Sequence, residues 1–168
     1  MLKLAILALM GAVSAVGAAE VLSNTKMPAE PELRAAVAIA PQAAATGQAA
    51  SIAKGRDGHY WAEADVNGSQ VRFLVDTGAS AVALTTEDAK RLGIQTEKLN
   101  YSYKVVTASG QTRAAAVKLG RVAVAGAALR DVDALVIEDG LESSLLGMSY
   151  LGRLASFEAT QTSLILRP

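Results

Sequence analysis

No cysteine occurs among the 168 residues, which excludes disulfides, thiolate catalysis and zinc sites built on Cys. The compartment stays open on this point, because exported proteins also do without cysteine. Histidine is nearly absent as well. His59 is the single one, so a Ser-His-Asp or Cys-His mechanism would have to run through it, and metal sites needing several His ligands are impossible. It lies in Gly58-His59-Tyr60-Trp61, where it reads as a partly exposed residue at a strand end with no role in catalysis. Net charge is missing too: Lys plus Arg and Asp plus Glu number 16 each, so no field draws in nucleic acid or an anionic membrane surface. What is present is 51% hydrophobic and 19% charged residues, the balance of one globular domain with an apolar leader.

That leader follows Lys3. Residues 4–19 are apolar or small and end in Gly17-Ala18-Ala19 before Glu20, which reads as an export signal. With Val21 and Leu22 counted, the run reaches the roughly 20 residues that a membrane span needs. Residues 1–22 are therefore expected to be a cleaved signal peptide or a retained anchor through residues 4–22, and either places the remainder in the periplasm, soluble or held at the inner membrane. Residues 23–54 are rich in Ala and Gln and hold Pro28, Pro31 and Pro41, three of the four prolines. They are expected to form a mobile linker.

From Gly55 the pattern becomes short apolar stretches divided by Gly and Asn, the mark of an all-β domain over residues 55–168. Tyr60, Ala62, Ala64 and Val66 alternate with Trp61, Glu63 and Asp65. Asn67-Gly68 then supplies the positive φ angles of a tight hairpin, and residues 71–75 return toward Asp76. Residues 82–84 form another short strand. Thr85 with Asp88 marks a helix start, and Gly93 its stop after Leu92. Residues 103–107 and 112–117 flank a polar tip and read as a second hairpin. Residues 121–124, 129–137 and 163–167 supply later strands, and a second short helix is expected over residues 148–154.

Phe73-Leu74-Val75-Asp76-Thr77-Gly78-Ala79-Ser80 places a carboxylate at the end of an apolar strand, inside a tight turn. A lone carboxylate titrating at about pH 4 is a weak acid and a weak base. Two held within about 3 Å cannot both ionise and so share one proton. The ionised one can then activate water while the protonated one polarises a carbonyl. Only one Asp-Thr-Gly is present, so the second carboxylate must come from a second copy across a twofold axis. Gly78 leaves its N–H free to approach the carboxylate, the Thr77 hydroxyl is placed to bond across the dimer, and Ala79 leaves space for a substrate backbone. The tripeptide alone is a weak signal, since a loop aspartate capping a turn looks the same. Ser144-Leu145-Leu146-Gly147-Met148, an apolar pair and a glycine before a helix, strengthens it.

In that order, Asp-Gly-His-Tyr-Trp, Val-Asn-Gly, Phe-Leu-Val-Asp-Thr-Gly-Ala-Ser, Thr-Ala-Ser-Gly and Leu-Leu-Gly-Met-Ser-Tyr-Leu resemble the blocks of retropepsin-like aspartic proteases. The likeness is to the single-domain bacterial group that carries an N-terminal export or membrane segment. The resemblance implies a half-pepsin closed β-barrel with a flap hairpin and one or two short helices. It implies catalytic roles for Asp76, Thr77 and Gly78. Thr107, Ala108, Ser109 and Gly110, with Gln111, resemble the flap over the substrate, and Leu145, Leu146 and Gly147 resemble the loop-crossing element behind it. With Ala79, these are the expected substrate-binding residues. Viral members carry Gly-Arg followed by Asn or Asp where Gly147 is here followed by Met148 and Ser149, and Ser109 stands where the bacterial group more often has Asn.

The activity implied is that of an aspartic endopeptidase acting as a homodimer on extended segments of protein or peptide substrates, gripped as an added strand. No cofactor and no metal are expected. The alternative is a peptide-binding or assembly module that keeps the fold without hydrolysis.

Overall fold

The computed structural model describes residues 45–168. The expected leader and the linker as far as residue 44 lie outside the described residues. The described residues form ten strands: β1 Ala50–Ala53, β2 Trp61–Val66, β3 Ser69–Val75, β4 Val82–Leu84, β5 Tyr103–Thr107, β6 Gly110–Val124, β7 Ala127–Ile137, β8 Leu145–Leu146, β9 Ser156–Ala159 and β10 Ser163–Arg167. Helices α1, Thr86–Arg91, and α2, Met148–Leu151, are short, and a 3-10 turn covers Thr96–Lys98. No helix among the described residues is long and apolar enough to cross a membrane.

The β2–β3 hairpin forms where its side chains alternate. Ala62, Ala64, Val66, Val71 and Phe73 are buried, while Glu63 and Arg72 face out. Asn67 and Gly68 turn the chain at φ 52° and 90°, the left-handed pair that matches the twist of a two-residue hairpin. Ala125 and Gly126 repeat the device between β6 and β7 at φ 48° and 98°. Seven strands pair in the order β2-β3-β8-β4-β7-β6-β5, and β2 also pairs with β6 through Ala64, Asp65 and Val66. That last pairing brings the sheet back on itself, so it wraps the core as a barrel. Phe73, Leu84, Leu146, Tyr150 and Leu166 are buried at its centre.

The helix start at Thr85 is as the sequence indicates. The Thr85 hydroxyl accepts from the Asp88 N–H at 3.1 Å, and Gly93 follows the last turn at φ 79°. Three expectations change. The folded part begins before Gly55: β1 pairs antiparallel with β10, and Thr46 bridges to Ala128, so residues 45–54 are structured rather than linker. Ile52 and Ala50 point their small apolar surface into the core on alternate positions, a pattern too short to stand out in an Ala-rich stretch. Residues 112–117 and 121–124 belong to one long β6, whose interior Gly120 resembles a break. The helix expected over residues 148–154 is a single turn, Met148–Leu151.

A second, smaller sheet has the order β1-β10-β9. Its middle strand, β10, is hydrogen-bonded on both sides within the same chain.

Candidate active site

Asp76 follows β3 directly, and the turn it opens is held from behind by backbone alone. The Asp76 N–H donates to the Leu146 carbonyl at 3.2 Å, and the Ala79 N–H to the Asp76 carbonyl at 3.3 Å. The Met148 N–H donates to the Ala79 carbonyl at 2.8 Å. β8 lies parallel to β3, pairing Leu74 with Leu145 and Val75 with Leu146, and antiparallel to β4, pairing Ala83 with Leu145. Two residues are thus threaded between the strands that enter and leave the turn.

Such threading demands a residue with no side chain at the crossing. A Cβ on Gly147 would meet the Ala81 carbonyl oxygen at 2.1 Å and the Ala79 carbonyl oxygen at 2.7 Å. Only glycine permits this approach of two backbones. Gly78 serves the carboxylate itself: its N–H donates to Asp76 Oδ1 at 2.8 Å, and a Cβ there would stand 3.1 Å from the same oxygen. Asp76 and Ala79 are half-buried, whereas Thr77 and Gly78 are exposed. One oxygen of the carboxylate is therefore fixed by the turn, which orients the group as a whole.

The corner leading into β2 supports the same turn. The Tyr60 carbonyl accepts from the Val75 N–H at 2.9 Å, one residue before Asp76. Asp57 accepts from the Trp61 indole N–H at 2.8 Å and from the His59 backbone N–H at 3.0 Å. These donors, the indole first, hold the Asp57 carboxyl below the usual carboxylate range. His59 itself is exposed.

The structure separates the expected substrate-binding residues. Ala108 and Ser109 form the exposed two-residue turn between β5 and β6, with Thr107 paired to Gly110. The Thr107 hydroxyl bridges the turn, donating to the Gly110 carbonyl at 3.1 Å and accepting from the Ser109 N–H at 3.2 Å. Tyr103 and Val105 of this hairpin pack with Leu145, Leu135 and Leu141 on a second apolar cluster of Ala83, Ala114 and Ile137. The hairpin root and Leu145 thus share one apolar wall beside the Asp76 turn. Leu146 does not belong to it. Its side chain is fully buried in the main core, and Gly147 is buried against Ala81, so neither is placed to touch a substrate. Alternation along β8 explains the split, since successive residues face opposite sides.

Two features escaped the sequence reading. Ser144 is fully buried just before β8, where its hydroxyl donates to Asp88 Oδ2 and accepts from the Thr85 N–H at 3.1 Å. Arg91 Nη1 approaches Asp88 Oδ1 at 3.1 Å. Helix α1 is tied in this way to the segment behind the Asp76 turn. Ser149, at the departure from the viral pattern, accepts from the Val82 N–H at 2.8 Å and donates to the Asp133 carbonyl at 2.7 Å. Met148 packs on the core. A neutral hydroxyl and an apolar chain thus secure the place where viral members carry charge. The sequence marks Ser144 and Ser149 only as members of their blocks, because neither forms a periodic pattern that would show its bonding partners.

A cavity of about 440 Å³ is lined by Trp61, Arg72, Asp88, Arg91, Leu141 and Ser144 among others, and Asp76, Thr77 and Gly78 are not part of its lining. Among the described residues, no group of three or more His, Cys, Asp and Glu side chains is placed to hold a metal ion.

The profile of a family described as "gag-polyprotein putative aspartyl protease" matches residues 62–153. A protein of Rickettsia prowazekii (strain Madrid E) is 42% identical over 115 residues, covering 68% of this chain and 49% of its own length. A Sinorhizobium protein from the cobV 5′ region is 40% identical over 112 residues, covering 66% and 48%. The chain spans about half the length of these curated relatives. The crystal structure of a retropepsin-like aspartic protease from Rickettsia conorii is 40% identical, with a TM-score of 0.66 over 72% of this chain and 100% of that one. EIAV protease in complex with the inhibitor HBY-793, at 18% identity and TM-score 0.51 over 63% and 97%, shares the fold. The family profile over residues 62–153, more than half of the chain, together with the crystal structure matched at 40% identity, means that the chain belongs to the retropepsin-like aspartic proteases.

Proposed function

We propose that the chain is an aspartic endopeptidase whose site is completed by a second copy of itself. The observation that carries this reading is the Asp76 turn. It presents one oriented carboxylate per chain, with Thr77 and Gly78 exposed beside it, on a backbone pinned by β8 and α2. The chain has a single Asp-Thr-Gly, so the missing partner for proton sharing is an identical turn across a twofold axis.

In the dimer, one Asp76 is ionised and its counterpart protonated. The ionised carboxylate takes a proton from water as the water oxygen bonds to the scissile carbonyl carbon. The protonated carboxyl donates to the carbonyl oxygen. As the tetrahedral species collapses the C–N bond breaks, the leaving nitrogen takes the proton held by one carboxyl, and a hydroxyl on the tetrahedral carbon returns its proton to the other carboxylate as the C=O reforms, restoring the shared-proton state. The partly exposed apolar wall of Leu145, Val105, Tyr103 and Leu141 suits extended peptide segments with apolar side chains at the cut. Residues 4–22 support export of this domain, in soluble or anchored form.

The test is cleavage of a mixed peptide library by the purified chain from pH 3 to pH 7, beside Asp76→Asn, over concentrations that span the monomer-dimer transition. Cleavage that depends on Asp76 and rises with dimer content is expected. A dimer that cleaves nothing at any pH would leave the fold as a binding module and end the enzyme reading.

A further inference from the structure

The backbone ladder between β6 and β7 runs out to Ala114 and Ile137, with one more bond from the Glu138 N–H to the Arg113 carbonyl at 2.9 Å. Beyond it, side chains continue the pairing. Arg113 Nε and Nη2 meet the two separate carboxylate oxygens of Glu138 at 2.7 Å each. One position further on, the Thr112 hydroxyl donates to Asp139 Oδ1. Neighbouring residues of a strand point to opposite sides, so these two links grip the hairpin on both faces. Gly140 follows, and a Cβ on it would stand 3.4 Å from Ser109 Cβ and 3.6 Å from Thr107 Oγ1, in contact with the hairpin tip. Leu141 then joins Val105 and Leu145 in the apolar wall. Residues 138–141 thus meet the hairpin at its root and its tip before the chain turns through Ser144 into β8.

Exposed ion pairs usually contribute little, because each side chain must be ordered for one screened contact. Arg113–Glu138 differs in kind: among the described ion pairs it is the one that engages two nitrogens with two oxygens, a fork whose geometry fixes direction as well as distance. We propose that Arg113–Glu138 and Thr112–Asp139 form a two-sided clasp that holds the β5–β6 hairpin where it receives an extended peptide. The four are positioning residues for substrate capture, and the assignment rests on the peptidase reading. A hairpin released from the clasp samples more positions, which peptide binding must then restrict. KM rises, while kcat, set at Asp76, changes little.

The test uses the full chain with Glu138→Gln, Asp139→Asn and the exchanged pair Arg113→Glu with Glu138→Arg. Two quantities are read: amide hydrogen exchange over residues 103–111, and KM and kcat on a peptide that the wild type cleaves. Each single variant should exchange about three- to tenfold faster over the hairpin and raise KM by a similar factor with kcat within about twofold. The exchanged pair should recover both toward wild type. Unchanged hairpin exchange and KM in both single variants, or no recovery in the exchanged pair, would overturn the clasp. Because hydrogen exchange needs no turnover, a wild type that cleaves nothing sinks the peptidase reading alone, and the clasp then stands or falls on the exchange rates.

Discussion

Gly147 and Ala81 are packed backbone to backbone, so that a Cβ on Gly147 would stand 2.1 Å from the Ala81 carbonyl oxygen and 2.6 Å from its carbonyl carbon. This contact is where β8 passes behind the Asp76 turn, and it can relax only if the turn itself moves. Gly147→Ala should therefore lower stability by about 3 kcal/mol, the upper part of the range for overpacking, and abolish cleavage together. Urea unfolding and peptide hydrolysis on one preparation check this. Native stability with lost activity would place the strain elsewhere.

Gly78→Ala separates the two effects. The added Cβ would press on Asp76 Oδ1 at 3.1 Å, while the surrounding surface is exposed and has room to adjust. kcat should fall roughly ten- to a hundredfold, as small misplacements of a reacting group do, with the melting temperature nearly unchanged.

Removing the Ser144 hydroxyl strips the buried Asp88 carboxylate of a donor and leaves the Thr85 N–H without its acceptor. Ser144→Ala should cost about 1–3 kcal/mol, the penalty for unpaired buried polar groups. Asp88→Asn should cost less, because an amide oxygen still accepts from Ser144. Denaturant midpoints of the two variants give the order directly, and the reverse order would show that the contact to Arg91 dominates.

Tyr150 supplies an alkaline signature. Its ring is fully buried, its hydroxyl donates to the Ala127 carbonyl at 2.8 Å, and burial pushes its pKa from 10.0 up to about 12. The unfolded chain loses this proton first. The stability conferred is thus complete below about pH 10 and is lost as pH rises toward the folded value, by up to about 2–3 kcal/mol. Unfolding free energies of wild type between pH 9 and pH 12 should fall more steeply than those of Tyr150→Phe. Parallel curves would assign the alkaline loss to other groups.

Asp76, its turn and the β2–β3 hairpin were legible because each rests on local chemistry: alternation of apolar residues, Asn67-Gly68 at positive φ, a helix cap at Thr85. The role of Gly147 was legible only as a block within a resemblance, since its reason is a contact with Ala81, far away in sequence. Leu145 and Leu146 look alike in the chain and part company only when β8 acquires a face. Residues 45–54 failed for a related cause, because β1 is a strand only by virtue of β10. Arg113, Glu138 and Asp139 gave no signal, as two strands must first align before their charges meet.

The middle place of β10 in its sheet has a consequence for how the protein is made. β1 is made before the other described strands and finds its partner only when β10, the last of those described, has followed. During synthesis the barrel can assemble around Asp76 while β1 and β9 both wait unpaired, exposing their edges until residues 163–167 emerge and join them. Emergence of β10 is thus the event that closes this small sheet, and a nascent chain stalled before it carries a finished Asp76 turn beside two unpaired strands.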